Sequence, residues 1–411
     1  MEIELAFQTG ATVAVACGGQ PSHTFDLRGL APDEAIPGRP PQPLHDPVAY
    51  GEAVHRALFP PGKPTTQALA AERDRILLVA TDPHLQAVPW EFAHGPGGFL
   101  ALDLHLVRGL PAAQRIDPPA LDAGLHIVAV PPQPLDKDIP PLDIEGEWAR
   151  LRDVIGAVPA GVVLERARPP TVEALRALVA GQQGRVVHFM GHGGRDAIGE
   201  AVLLFEQGDG SPHAVTAREF TRRVRGAAFL VALNACVSAT PGPTPFSNLA
   251  AALAAQGTPY ALGMQFSVVD DDARAFARAF YTDLARGSTV EEAVLQARLT
   301  LAGSPRAWAA GVPALYTALR ASAGLPPREG APTVIDRQPP LEVSALPRAE
   351  GAFQGRIDEL RALGGYLTGD RRARVVTIHG VGGQGKTALA REAAERYAHA
   401  WPGGVWATSL E

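Results

Sequence analysis

Apolar residues along this chain gather in short runs of strand length, separated by stretches with helical spacing. Glu2 to Phe7 and Thr12 to Cys17 read as two strands joined at Gly10. Residues 31 to 48 are rich in proline and read as a loop, before a helical segment near Val48 to Leu58 and a strand at Ile76 to Ala80. Within Leu85 to Phe92, Trp90 is expected in the core, with Glu91 capping or pairing nearby. Leu125 to Val130 is a further buried strand. Ile144, Trp148, Leu151 and Ile155 then form one apolar stripe of a helix. After a short strand at Val162 to Leu164, Thr171 is placed to cap a helix carrying Val172, Leu175, Leu178 and Val179, stopped at Gly181.

The chain then reaches RVVHFMGHGG, Arg185 to Gly194. Val186 to Met190 is a buried strand, and Gly191-His192-Gly193-Gly194 turns sharply, since glycine costs nothing at positive φ. A second apolar run, Phe229 to Leu233, leads into Asn234, Ala235 and Cys236. A helix at Phe246 to Ala255 and a strand at Tyr260 to Met264 follow. Asp272 to Arg286 reads as a helix with Phe276, Phe280 and Leu284 inward. Ser288-Thr289-Val290-Glu291 reads as a capping box opening a helix with Val290, Val294, Ala297 and Leu301 on one face. Ala314 to Leu319 is a last strand. Strands alternating with helices of this length predict an α/β fold with a largely parallel central sheet flanked by helices.

Composition narrows the classes. The chain has 411 residues, enough for two or three domains, and is 46% hydrophobic, so it can bury real cores. A formal net charge of -6 argues against nucleic acid as a partner. No signal peptide is visible, and no run reaches the roughly 18 apolar residues of a membrane span. The two cysteines, Cys17 and Cys236, lie far apart, and a cytoplasmic protein with reduced thiols is expected. Cys17 reads as an ordinary buried residue.

Two buried strands, each ending in a reactive side chain, point to one pocket at the C-terminal edge of the sheet. A thiol attacks only as thiolate, so Cys236 needs a base, and His192 can accept its proton and later return it to a leaving amine. The peptide N–H groups of Gly193 and Cys236 are candidate oxyanion donors, each supplying roughly 3 kcal/mol. This chemistry needs no metal and no cofactor. A zinc site from His188, His192 and Cys236 is geometrically conceivable but lacks the CxxC-type pairs usual at such sites. His188 points to the face opposite its strand neighbours and is read as a hydrogen-bonded support for the loop.

At these residues RVVHFMGHGG followed by FLVALNAC resembles the CHAT domain, a branch of the caspase-like cysteine peptidases that includes relatives of separase. Leu85 to Leu102, the IEGEWARL helix and the run from Phe246 to Ala293 also fit, so the resemblance spans about residues 1 to 320. It implies a caspase-like sandwich, a protein substrate, His192 as base and Cys236 as nucleophile. Several caspase-like peptidases that cut after arginine or lysine carry an aspartate two residues before the nucleophile; here that position is the neutral Asn234. Any acidic specificity pocket must come from elsewhere. Asp270, Asp271 and Asp272 are candidates, although three acids also simply suit a helix start. A non-catalytic interaction module of the same family is the alternative reading.

From Gly324 to Glu350 prolines recur and periodicity fades, the mark of a linker. The expected division is a CHAT domain over 1 to 322 (an N-terminal part to 120, a catalytic core from 121), a linker over 323 to 350 and a third section over 351 to 411. That section carries a helix from Ile357 to Leu367, a strand at Val375 to His379 and a P-loop, Gly380-Val381-Gly382-Gly383-Gln384-Gly385-Lys386-Thr387. Gly380, Gly382, Gly383 and Gly385 would let the loop amides cradle phosphates, Lys386 would reach the β- and γ-phosphates, and Thr387 would ligate magnesium. With FQGR upstream, the section resembles the STAND class of signalling ATPases, which implies ATP and Mg as ligands, self-assembly, and a peptidase effector in a defence or programmed-death system. About sixty residues fall short of a complete nucleotide-binding domain, so the expectation is a fragment of a longer protein that binds ATP poorly in this form.

Overall fold

The computed structural model describes residues 1–30, 45–198, 200–234, 245–266, 268–346, 353, 355–369 and 372–408. Three antiparallel strands open the chain: β1 (Glu2–Thr9), β2 (Thr12–Cys17) and β3 (Gln20–Asp26). β1 also lies parallel to β4 (Arg75–Ala80). After a small ribbon of β5 (His94–Gly95) and β6 (Gly98–Phe99) come β7 (His105–Gly109), β8 (His126–Val130), β9 (Val163–Arg166) and β10 (Arg185–Met190). A ribbon of β11 (Gly193–Arg195), β12 (Ala201–Glu206) and β13 (Pro212–Thr216) leads to β14 (Ala228–Asn234). β15 (Tyr260–Met264), β16 (Pro313–Thr317) and β17 (Thr333–Ile335) follow, and β18 (Leu341–Glu342) pairs with β19 (Val405–Trp406).

Among the described residues the main sheet has twelve strands in the order β17-β9-β8-β10-β14-β15-β16-β7-β4-β1-β2-β3. Pairing is parallel from β17 through to β15 and again from β16 to β1, with one antiparallel step between β15 and β16. All six residues of β10 are buried because helices cover both faces. Val186 and Met190 pack toward the helices Ile144–Gly156, Asp270–Ala285 and Val290–Ala302. Val187 and Phe189 pack toward Val172–Val179, Ala217–Val224 and Pro245–Ala255 on the other face. The mixed α/β architecture with a large, mostly parallel sheet is the expected one.

The differences have local causes. β3 escaped the hydrophobic pattern because its sequence, QPSHTFD, is a largely exposed edge with no apolar alternation to read. The cap of the Val290–Ala302 helix is Thr289, whose hydroxyl accepts from Glu292 N at 3.2 Å. Glu292 then reaches His105 and Gln296 rather than returning to the cap, so no Ser288 capping box forms. Ala314 to Leu319 is not the last strand: β17, inside the proline-rich segment, adds a further parallel edge beside β9. Three residues between prolines suffice at an edge, where only one side needs pairing. No strand forms at Val375 to His379, where Val375 is 82% exposed. A strand exists only where a neighbour takes up its backbone groups, and among the described residues none does so here.

Between the two halves of the sheet lies a buried ionic knot. Arg108 Nε donates to Glu91 Oε1 at 2.8 Å, and its other nitrogens reach Gln265 Oε1 (2.8 Å) and the Tyr316 hydroxyl (3.0 Å). Gln265 closes the ring by donating to Glu91 Oε2 at 2.8 Å. Glu91 is thus a pairing residue, and the knot ties the turn after Val88 to β7, β16 and the end of β15. Removing one partner strands a buried charge, so Glu91→Ala should cost about 3–5 kcal/mol in urea unfolding. Replacing Glu91 and Arg108 together by apolar residues should recover much of that loss; additive losses in the double variant would refute the coupling.

Candidate active site

β10 and β14 are parallel neighbours with Met190 opposite Asn234. Two residues past Met190 is His192, and two residues past Asn234 is Cys236. The ends of β10 and β14 therefore lie at the same edge of the sheet, about 4.8 Å apart. Cys236, and with it the second candidate oxyanion donor, lies outside the described residues; Asn234 ends β14.

The glycines around His192 serve space more than dihedral freedom. Neither Gly191 nor Gly194 takes a left-handed backbone, contrary to the expectation from the GHGG string. A Cβ on Gly191 would instead come within 2.6 Å of Pro132 Cγ and 2.9 Å of Phe189 Cζ, so the strand end can pass Pro132 only as glycine. From there the chain folds back as β11 against β12. Leu204 N donates to His192 O at 2.9 Å, and Asp196 N to Glu200 O at 2.9 Å. Bonded pairs alternate along an antiparallel ladder, so Gly193, opposite Leu203, occupies a non-bonded pair and its N–H turns away from β12. That leaves the Gly193 N–H directed off the ribbon.

His192 is buried, and its Nε2–H donates to the carbonyl of Pro140 at 2.8 Å. A carbonyl only accepts, so in the neutral ring Nε2 holds the proton and Nδ1 carries the lone pair. Burial lowers the His192 pKa, against a smaller raising effect of the Pro140 carbonyl. The ring is thus neutral at neutral pH, with one nitrogen already chosen as its basic atom. Nothing in the sequence pointed to Pro140, because its contribution is a main-chain oxygen.

His188 has a different environment. Its Nδ1 lies 2.5 Å from the Tyr281 hydroxyl, on the Asp270–Ala285 helix, so it is held by that helix rather than supporting the Gly191–Gly194 loop. Strand alternation explains this, since His188 shares its face with Val186 and Met190. A small cavity of about 40 Å³ adjoins it, lined by Ala232, Leu262, Met264 and Phe276 among others. The three candidate pocket acids are each matched by an arginine: Asp272 to Arg306 at 2.7 Å, Asp271 to Arg274 at 3.2 Å and Asp270 to Arg150 at 3.6 Å. They open the helix, and Asp272 is buried. Glu147, which sequence reasoning passed over, is buried with its pKa pushed up to about 7, chiefly by desolvation. Among the described residues no cluster of three or more metal-ligating side chains occurs.

Burial pushes the His188 pKa down to about 4 from an ordinary 6.5. Because the folded value lies below the unfolded one, the neutral ring's contribution is complete above pH 6.5 and is lost as pH falls through 4. The loss amounts to about 3 kcal/mol. His188→Leu should flatten the fall in urea midpoint across that window relative to the parent; an unchanged slope would mean that His188 titrates normally.

The family model described as CHAT domain matches residues 48–318 of this chain. No curated protein matches. Among solved structures, the chain is similar to separase in the Saccharomyces cerevisiae separase–securin complex, at 17% identity and TM-score 0.34, over 64% of this chain and 16% of that one. It is also similar to the Arg-specific cysteine proteinase gingipain R, at 11% identity and TM-score 0.39, over 69% of each chain. The chain thus spans about a sixth of the length of the separase chain it matches. A family model that covers well over half of the chain places it: the protein belongs to the CHAT domain family.

Proposed function

We propose that the protein is a cysteine endopeptidase in which Cys236 attacks a peptide carbonyl with His192 as its base. The observation that carries this reading is the His192 ring, neutral and held by Pro140 so that Nδ1 is the free basic nitrogen, beside the strand that leads to Cys236. Nδ1 takes the Cys236 proton, and the thiolate adds to the carbonyl carbon. The Gly193 and Cys236 N–H groups receive the oxyanion. Collapse breaks the C–N bond, and His192 passes its proton to the leaving amine. Water, deprotonated by the same nitrogen, then releases the acid from the thioester and restores the thiol. The substrate is a protein segment extended enough to enter the sheet edge.

The third section fits a phosphate group. Gly383 and Gly385 have φ of 77° and 73°, and nothing lies within 4 Å of where a Cβ on Gly382 or Gly383 would sit. The loop opens the Lys386–Tyr397 helix, whose amides complete the cradle. Gly380, Gly382, Gly383, Gly385, Lys386 and Thr387 would hold the phosphates of ATP and its Mg, which would supply charge for a conformational step rather than for peptide cleavage. Lys386 Nζ donates to Val381 O at 2.9 Å, a contact the phosphates must displace. We read this section as STAND-like, with the peptidase as effector of an assembling sensor in a defence or programmed-death system.

The deciding measurement is labelling by peptidyl chloromethyl ketones of varied P1. Cys236→Ala should abolish labelling, and His192→Ala should slow it about 10²- to 10⁴-fold. Equal rates in the parent and His192→Ala would sink the dyad, and absence of labelling in every state of the protein would favour a non-catalytic interaction module. Because Asp270, Asp271 and Asp272 are already matched by arginines, Asp271→Asn should leave P1 preference unchanged. In a direct titration, MgATP should bind this chain weakly, and micromolar saturation would overturn that expectation.

A further inference from the structure

The segment from Pro131 to Asp143, which carries Pro140, is anchored in part by the third section. Its Leu135 joins Leu360, Leu363, Leu389, Ala393 and Tyr397 in one buried cluster. Arg396, near the end of the Lys386–Tyr397 helix, donates to Gln133 O and to Glu206 Oε2, the latter at 2.9 Å. Glu206 Oε1 in turn accepts from Gln133 N at 2.7 Å, and Gln133 Nε2 donates to Leu142 O at 3.0 Å, two residues beyond Pro140.

The second support of His192 ends at the same place. β12, whose Leu204 N holds the His192 carbonyl, runs to Glu206, and the turn after it meets the helices of the third section. The Tyr397 hydroxyl lies 2.9 Å from Asp209 O. A Cβ on Gly364 would come within 2.4 Å of that same carbonyl, and one on Gly210 within 3.2 Å of the Tyr397 hydroxyl. Packing this close transmits displacement rather than absorbing it. The helix is a rod of about 18 Å with the P-loop at one end and Arg396 and Tyr397 at the other.

We propose that Arg396 and Tyr397 are positioning residues for His192, acting through Gln133, Glu206 and the Pro140 carbonyl. The third section is thereby a strut that sets which ring nitrogen is basic. This deepens the peptidase reading and rests on it for its consequence, but the tautomer it concerns is measurable without any cleavage.

The test uses the full chain carrying Cys236→Ala, with ring-¹⁵N histidine, so that the His192 tautomer is read at neutral to mildly alkaline pH. A His192→Gln spectrum gives the assignment. The parent should show the Nε2–H form alone. Arg396→Gln and Leu135→Ala should each give a mixture of tautomers, and Arg396→Lys should recover part of the parent signal. Variants that melt cooperatively yet keep the pure Nε2–H form would overturn the proposal. Tyr397→Phe, which removes a single hydroxyl, supplies the same readout if Arg396→Gln fails to fold. In chains with Cys236 restored, alkylation of that thiol by iodoacetamide should slow about tenfold in Arg396→Gln. No alkylation in the parent would count against the peptidase reading alone, since the tautomer result stands apart from it.

Discussion

Parallel pairing of β10 with β14, with Met190 opposite Asn234, is the constraint on which the rest of the site depends. Parallel strands deliver whatever follows them to one edge, so two segments far apart in sequence emerge side by side without any loop having to find the other. The helices on both faces exist to make that pairing stable, since a parallel sheet must be covered on both sides. The alternation of β10 then divides its residues: Val187 and Phe189 serve one helical layer, Val186 and Met190 the other. His188 falls on the second side and is consumed by Tyr281. His192 lies beyond the strand, where the pairing of β10 has ended, and its ring is held by Pro140 instead.

Much of this was legible in the sequence because it rests on periodicity. The runs at Val186 to Met190 and Phe229 to Leu233, the stripe of Ile144, Trp148, Leu151 and Ile155, and the Thr171 cap each announce themselves through side-chain type and spacing. What stayed hidden has no such signal. Pro140 acts through a main-chain oxygen 52 positions from His192. Tyr281 meets His188 across 93 residues, and Arg396 meets Glu206 across 190. β3 and β17 are edges, which need neither an apolar face nor length. Conversely, the GHGG string invited a dihedral explanation, and the structure replaced it with a steric one at Gly191.

Charge neutralisation marks the start of the Asp270–Ala285 helix. Asp270, Asp271 and Asp272 could have formed a cation-binding wall, yet each is matched by an arginine from its own helix or from an adjoining element. Such pairs at a helix start stabilise the helix and leave little field for a ligand. On the peptidase reading, selectivity for a substrate side chain is then expected from shape and neutral polar groups rather than from these carboxylates.

The contact between Glu206 and Arg396 bears on how firmly the third section is held. Burial alone raises the Glu206 pKa, and the Arg396 guanidinium opposes that rise. Without the Lys386–Tyr397 helix the carboxylate would lose its guanidinium partner and keep its bond from Gln133 N. Leu135 would at the same time lose the leucines that cover it. Withdrawal would therefore expose apolar surface and break an ion pair together. The apolar cluster and the ion pair thus hold the helix jointly. What the seated helix supports is the segment whose Pro140 carbonyl accepts from His192, so on the proposed reading the fit of this interface bears on where His192 keeps its proton.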